Sequence, residues 1–69
     1  MTIREVFEDN KLIKDNHTYD IEELYDIVSK HADLEGLSDW RKSVRAILSE
    51  NHLSQREIIH VSRGIYRFK

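Results

Sequence analysis

The stretch EIIHVSRGIYRFK, residues 57–69, changes the hydrophobic period of the chain from 3.6 to 2. Alternation on both sides of Ser62-Arg63-Gly64 predicts two antiparallel strands joined by a three-residue loop. Gly64 takes the left-handed position, where a side chain would be opposed. Ile59 and Val61 are expected on one face, with Tyr66 and Phe68 on the same face across the turn, closing the core. Arg63, Arg67 and Lys69 are then left for solvent.

Working back from the hairpin, Ser38 offers a helix cap, and Trp40, Val44, Ile47 and Leu48 form an apolar stripe. At ~100° per residue the opposite face carries Lys42, Arg45, Ala46 and Ser49, with Arg41 at its flank. This helix is expected from Asp39 to about Asn51, where the run NHLS breaks it. Before it, Ile21, Leu24, Tyr25 and Val28 recur at helical spacing, with Asp20 as N-cap and Glu23 three places on. That helix ends near His31 or Ala32, ahead of Gly36.

His17-Thr18-Tyr19 reads as a short extended segment. Asp15-Asn16 before it is a turn signal. Thr2-Ile3-Arg4-Glu5 has capping-box form, so a first helix covers Ile3 to about Asn10, with an extension through Leu12 and Ile13 left open. The chain thus reads as one α+β domain over residues 1–69, mainly helical, with three helices and a C-terminal two-stranded β-hairpin.

Composition agrees with a folded domain. Charged residues make up 35% of the chain, but with two glycines and no proline the helices have few internal breakers. There is no cysteine, so neither a disulfide nor a thiolate metal site is available, and a cytoplasmic location is the default expectation. No apolar run approaches membrane-spanning length, and the N-terminal sequence is acidic where a signal peptide needs a basic region.

The net charge of −2 conceals an asymmetry. Residues 1–37 hold 4 Lys and Arg against 10 Asp and Glu, whereas residues 38–69 hold 7 against 3. The second half is therefore the candidate for a polyanionic partner.

Three helices and a hairpin, with a short strand before the second helix to pair with it, form the order of a winged helix-turn-helix. DWRKSVRAILSEN, residues 39–51, followed by SRGIYRFK, residues 62–69, resembles the helix and wing of small winged-helix modules attached to restriction endonucleases of the Mrr and DpnI types. The resemblance covers roughly residues 17–69. It implies that the third helix enters the major groove of DNA and that the hairpin contacts the backbone or an adjacent groove. On this resemblance Ser38, Arg41, Lys42, Arg45 and Ser49 belong to the recognition helix, and Arg63 and Arg67 to the wing. Lys69 joins them as a further basic residue at the hairpin's end. Two departures from the pattern are that residues 1–69 themselves hold no nuclease domain, and that the segment between the second and third helices is longer than a tight helix-turn-helix turn.

The chemistry of the residues points the same way. Each Lys or Arg that meets a phosphate releases condensed counterions, and Arg can read guanine O6 and N7. Lys42 and Arg45 are the best placed for this. Trp40, at the head of an apolar stripe, is a core anchor rather than a base-stacking platform. His17, His31, His52 and His60 show no metal-ligand spacing, so no metal or other cofactor is expected. Asp15, Asp20, Glu22 and Glu23 read as turn and helix-start residues. No nucleophile, catalytic triad or phosphate loop is present, which argues against an enzyme.

The expected activity is double-stranded DNA binding without catalysis, as in a phage or mobile-element transcription regulator or a restriction-modification module. A homodimer through Ile3, Val6, Phe7, Leu12 and Ile13 is open, as is a monomer that uses them in its own core. The alternative is a protein-interaction module, or an inhibitor whose acidic first half mimics DNA.

Overall fold

The computed structural model describes residues 1–50 and 53–69. Among these the order is α1 (Ile3–Glu8), β1 (Thr18–Asp20), α2 (Ile21–His31), α3 (Trp40–Ser49), β2 (Ile58–Ser62) and β3 (Ile65–Phe68). The hairpin strands β2 and β3 are joined by β1 in a three-stranded antiparallel sheet of order β1-β3-β2, rather than forming a two-stranded hairpin alone. β3 is thus the central strand, paired with both neighbours.

Both N-terminal helices begin at capping boxes. Thr2 accepts from the Glu5 amide while the Glu5 carboxylate accepts from the Thr2 amide, and Asp20 and Glu23 repeat the pattern at α2. The Thr2 backbone N–H, then its hydroxyl, lower the pKa of Glu5. The Glu5 contribution is accordingly present above its unfolded pKa and lost as pH falls through the folded one.

α1 stops at Glu8, short of Asn10, and does not extend through Leu12 and Ile13. The cause is Asp9, which turns extended and whose Oδ1 accepts from the Lys11 amide at 2.8 Å, a local bond that competes with helix continuation. Ile13 is fully buried even so. Asn16 then adopts a positive φ of 60°, turning the chain into β1.

α3 begins at Trp40, one residue later than expected. Asp39, not Ser38, is the N-cap, and it makes no side-chain capping bond. The described part of α3 closes at Ser49 with Glu50 as C-cap; Asn51 and His52 lie outside the described residues.

The hairpin register also differs from expectation. Ser62 pairs with Ile65, leaving a two-residue turn of Arg63 and Gly64, and the ladder between His60 and Ser62 bulges at Val61. Gly64 has a φ of +72°, as the turn requires. Ile58 and His60 therefore stand opposite Phe68 and Tyr66, not Ile59 and Val61. The extra residue at the bulge puts Val61 out to solvent and changes which side of the strand faces inward.

One face of the sheet closes the core. Phe68 and Ile58 are buried beside Tyr19, and Phe68 packs against Phe7 at 5.6 Å and Tyr19 at 6.3 Å between ring centroids. Tyr66 packs half-buried at the edge of this core, stacked on His60 at 4.7 Å. Leu24 and Val28 of α2 and Val44, Ile47 and Leu48 of α3 complete it. Ile3, Val6, Phe7 and Ile13 are buried in the same cluster, with Leu12 packed against it. The residues offered as a dimer interface are thus used within the chain.

Candidate nucleic-acid interface

α3 divides sharply by side. Val44, Ile47 and Leu48 are buried, while Arg41, Lys42, Arg45, Ala46 and Ser49 are exposed. The sequence periodicity determines this division, since residues three and four apart share a face. No acidic side chain lies between Trp40 and Ser49, so the charges on the exposed side are the cations Arg41, Lys42 and Arg45, beside the uncharged Ser43, Ala46 and Ser49.

The exposed side chains are not equivalent. Lys42 has no ion-pair partner among the described residues. Arg45 donates from Nη1 to the Tyr25 hydroxyl at 3.0 Å. Arg41 lies over the Trp40 ring, its guanidinium carbon 4.4 Å from the centroid, and 5.6 Å from that of Tyr25. Trp40 itself is half-buried against the core and meets Tyr25 edge-on at 5.8 Å. Its role as a core anchor is therefore combined with a cation–π contact at the surface. Ser49 gives its hydroxyl hydrogen to the Ala46 carbonyl at 2.8 Å and is left as an acceptor, unsuited to donate to a phosphate. Ser38 is exposed in the loop before α3.

Glu22 and Asp26 line the same surface depression as Tyr25, Trp40 and Arg41. A phosphate approaching Arg41 from that side meets two carboxylates. Lys42 and Arg45 therefore form the cationic centre of the face, with Arg41 at its acidic margin.

The hairpin residues fall elsewhere. Arg63 is exposed at the turn, where the Gly64 carbonyl accepts from the Ile21 amide at 2.8 Å. This bond ties the turn to the start of α2, and β1 pairs up to Ile65, so the hairpin does not project beyond the sheet. Arg67 sits on the middle strand opposite Thr18 and Ile59. It is half-buried rather than turned to solvent, and its Nε is buried without a hydrogen-bond partner among the described residues. The reason is its place on the central strand, where neighbours flank the aliphatic stem on both sides. Lys69 lies at the opposite end of β3 from the turn, beside a depression lined by Glu8, Asp15 and Arg56. The eight residues singled out from the sequence thus separate into a helix set with Ser38 in the loop before it, a hairpin-turn residue, Arg67 on β3 and Lys69 just past its end.

Two further residues matter here that period and charge do not single out. In the sequence Tyr25 reads only as part of an apolar stripe, yet its ring and hydroxyl both meet arginines of α3. Arg56 is 7% exposed and is the one buried charged residue among those described. Nothing in the spacing of SQREI, residues 54–58, marks it.

Among the described residues no three His, Asp or Glu side chains converge as a metal site. No described helix is long and apolar enough to cross a membrane. No protein-family model, curated protein or solved structure matches the chain.

Proposed function

We propose that the chain is a winged helix-turn-helix that binds double-stranded DNA without catalysis, with α3 in the major groove. The observation that carries this reading is the exposed side of α3, which bears cationic and no acidic side chains and is centred on Lys42 and Arg45, on a helix fixed to the core by its opposite side. The element order, with β1 paired to the C-terminal hairpin, supports the winged-helix assignment. Arg63 is a secondary backbone contact, limited in reach by the docked two-residue turn. Service in a restriction-modification system is the setting that the resemblance implies, and regulation of a phage or mobile element is the other setting proposed.

Duplex binding followed by fluorescence anisotropy across a salt series tests the reading. The affinity is expected to fall log-linearly with salt, and the double variant Lys42→Ala/Arg45→Ala to flatten the slope by about 2, one for each phosphate that is no longer neutralised. Arg63→Ala is expected to weaken binding less, with melting unchanged. Absence of duplex binding at low salt overturns the reading. Glu22, Glu23 and Asp26, exposed on α2, favour a second reading in which this acidic face grips a protein partner; loss of partner capture on neutralising these three, with no duplex binding by the wild type, is its signature.

A further inference from the structure

Tyr25 belongs to α2, but both of its chemical ends meet arginines of α3. Its hydroxyl accepts from Arg45 Nη1 at 3.0 Å, and its ring lies 5.6 Å from the Arg41 guanidinium. The ring is itself held by the edge contact with Trp40 at 5.8 Å and packs half-buried against the core. A surface arginine is ordinarily free among many rotamers, which a phosphate contact must suppress. The hydrogen bond to Tyr25 gives Arg45 one favoured orientation before any partner arrives.

Resting on the DNA-binding reading, we infer that Tyr25 is the positioning residue of the α3 face, holding Arg45 in the orientation that meets the DNA backbone. The hydroxyl uses one of five guanidinium N–H donors, so four remain to bind phosphate oxygens. Glu22 and Asp26 line one depression together with Tyr25, Trp40 and Arg41, while the Tyr25 hydroxyl is engaged by Arg45. Tyr25 acts through Arg45, so its effect on binding must vanish when Arg45 is absent.

Tyr25→Phe tests this, because it keeps the ring contacts with Trp40 and Arg41 and removes only the acceptor. The variant is expected to melt with the wild type, to bind duplex DNA about threefold to tenfold more weakly at low salt, and to add no further loss in an Arg45→Ala background. Without DNA, relaxation of the Arg45 side-chain Nε–H is expected to show an ordered group in the wild type and a mobile one in Tyr25→Phe. Unchanged binding by Tyr25→Phe, or an equal penalty with Arg45 absent, overturns the inference. So does an Arg45 group equally mobile in both proteins. A wild type that ignores duplex DNA removes the DNA-binding reading itself, a failure read from the wild type alone; Arg45 order that depends on Tyr25 then describes packing and no longer a role in binding.

Discussion

Phe68→Ala is expected to leave the chain largely unfolded at 25 °C. Phe68 is fully buried and stands where three parts of the molecule meet: the Phe7 ring of α1, the Tyr19 ring of β1, and the guanidinium of Arg56, whose carbon lies 5.1 Å from its centroid. Truncating a buried phenylalanine to alanine costs about 3–5 kcal/mol, from lost transfer energy and from the cavity left behind. A domain of this size has a total stability of about 3–10 kcal/mol. The loss is comparable with the whole, so collapse of the near-UV circular dichroism is the expected readout. Tyr66→Ala, two residues earlier on the same face, removes a half-buried ring and is expected to cost less. A Phe68→Ala variant that melts within a few degrees of wild type would show that the sheet face is not the closing wall of the core.

The second large effect is expected from Arg56→Ala. The guanidinium donates from Nη1 to the Phe7 carbonyl at 2.8 Å and from Nη2 to Asp15 Oδ1 at 3.0 Å, joining the end of α1, the turn before β1 and the ring of Phe68. Asp15 is about half exposed, so its loss as a partner is softened by water. The Phe7 carbonyl accepts from a buried group, and removing the donor leaves an acceptor unsatisfied, at a cost of about 1–3 kcal/mol. The space under Phe68 adds to this. Arg56→Ala is therefore expected to lower the urea midpoint markedly, and Arg56→Lys to recover only part of it, because a single ammonium cannot serve both acceptors in the planar geometry of the fork. Midpoints equal to wild type in both variants would refute the anchoring role.

Periodic segments are legible in the sequence. The face of α2 and the stripe of α3 follow from the spacing of Leu24, Val28, Val44, Ile47 and Leu48, and both capping boxes from Thr2 to Glu5 and from Asp20 to Glu23. Local rules reach this far because i, i+3 and i, i+4 neighbours are fixed by helix geometry alone. The hairpin is legible as an element but not in register: whether Ser62 belongs to the loop or the ladder turns on one bulged residue, and Val61 carries no local signal of that. Arg56 is not legible at all. Its partners Phe7 and Asp15 are more than forty positions away, and only the tertiary fold creates the pocket that takes a guanidinium. Of the candidate interface, the basic helix face is readable from period and charge. The contact of Arg45 with Tyr25 is not, since it depends on how α2 lies against α3.

The carbonyl of Gly64 that receives the Ile21 amide has a consequence for the order of folding. α2 can start only at its capping box, and the first amide of the helix looks for its acceptor in a turn formed by the far end of the chain. β1, directly before that amide, likewise finds its partner in β3. Loop-closure entropy opposes both contacts until the helices between them are in place, so they are expected to form together and late. Slow hydrogen exchange at Ile21 and Tyr66 would then report one shared opening, in which the start of α2 and the central strand are released as a single cooperative unit.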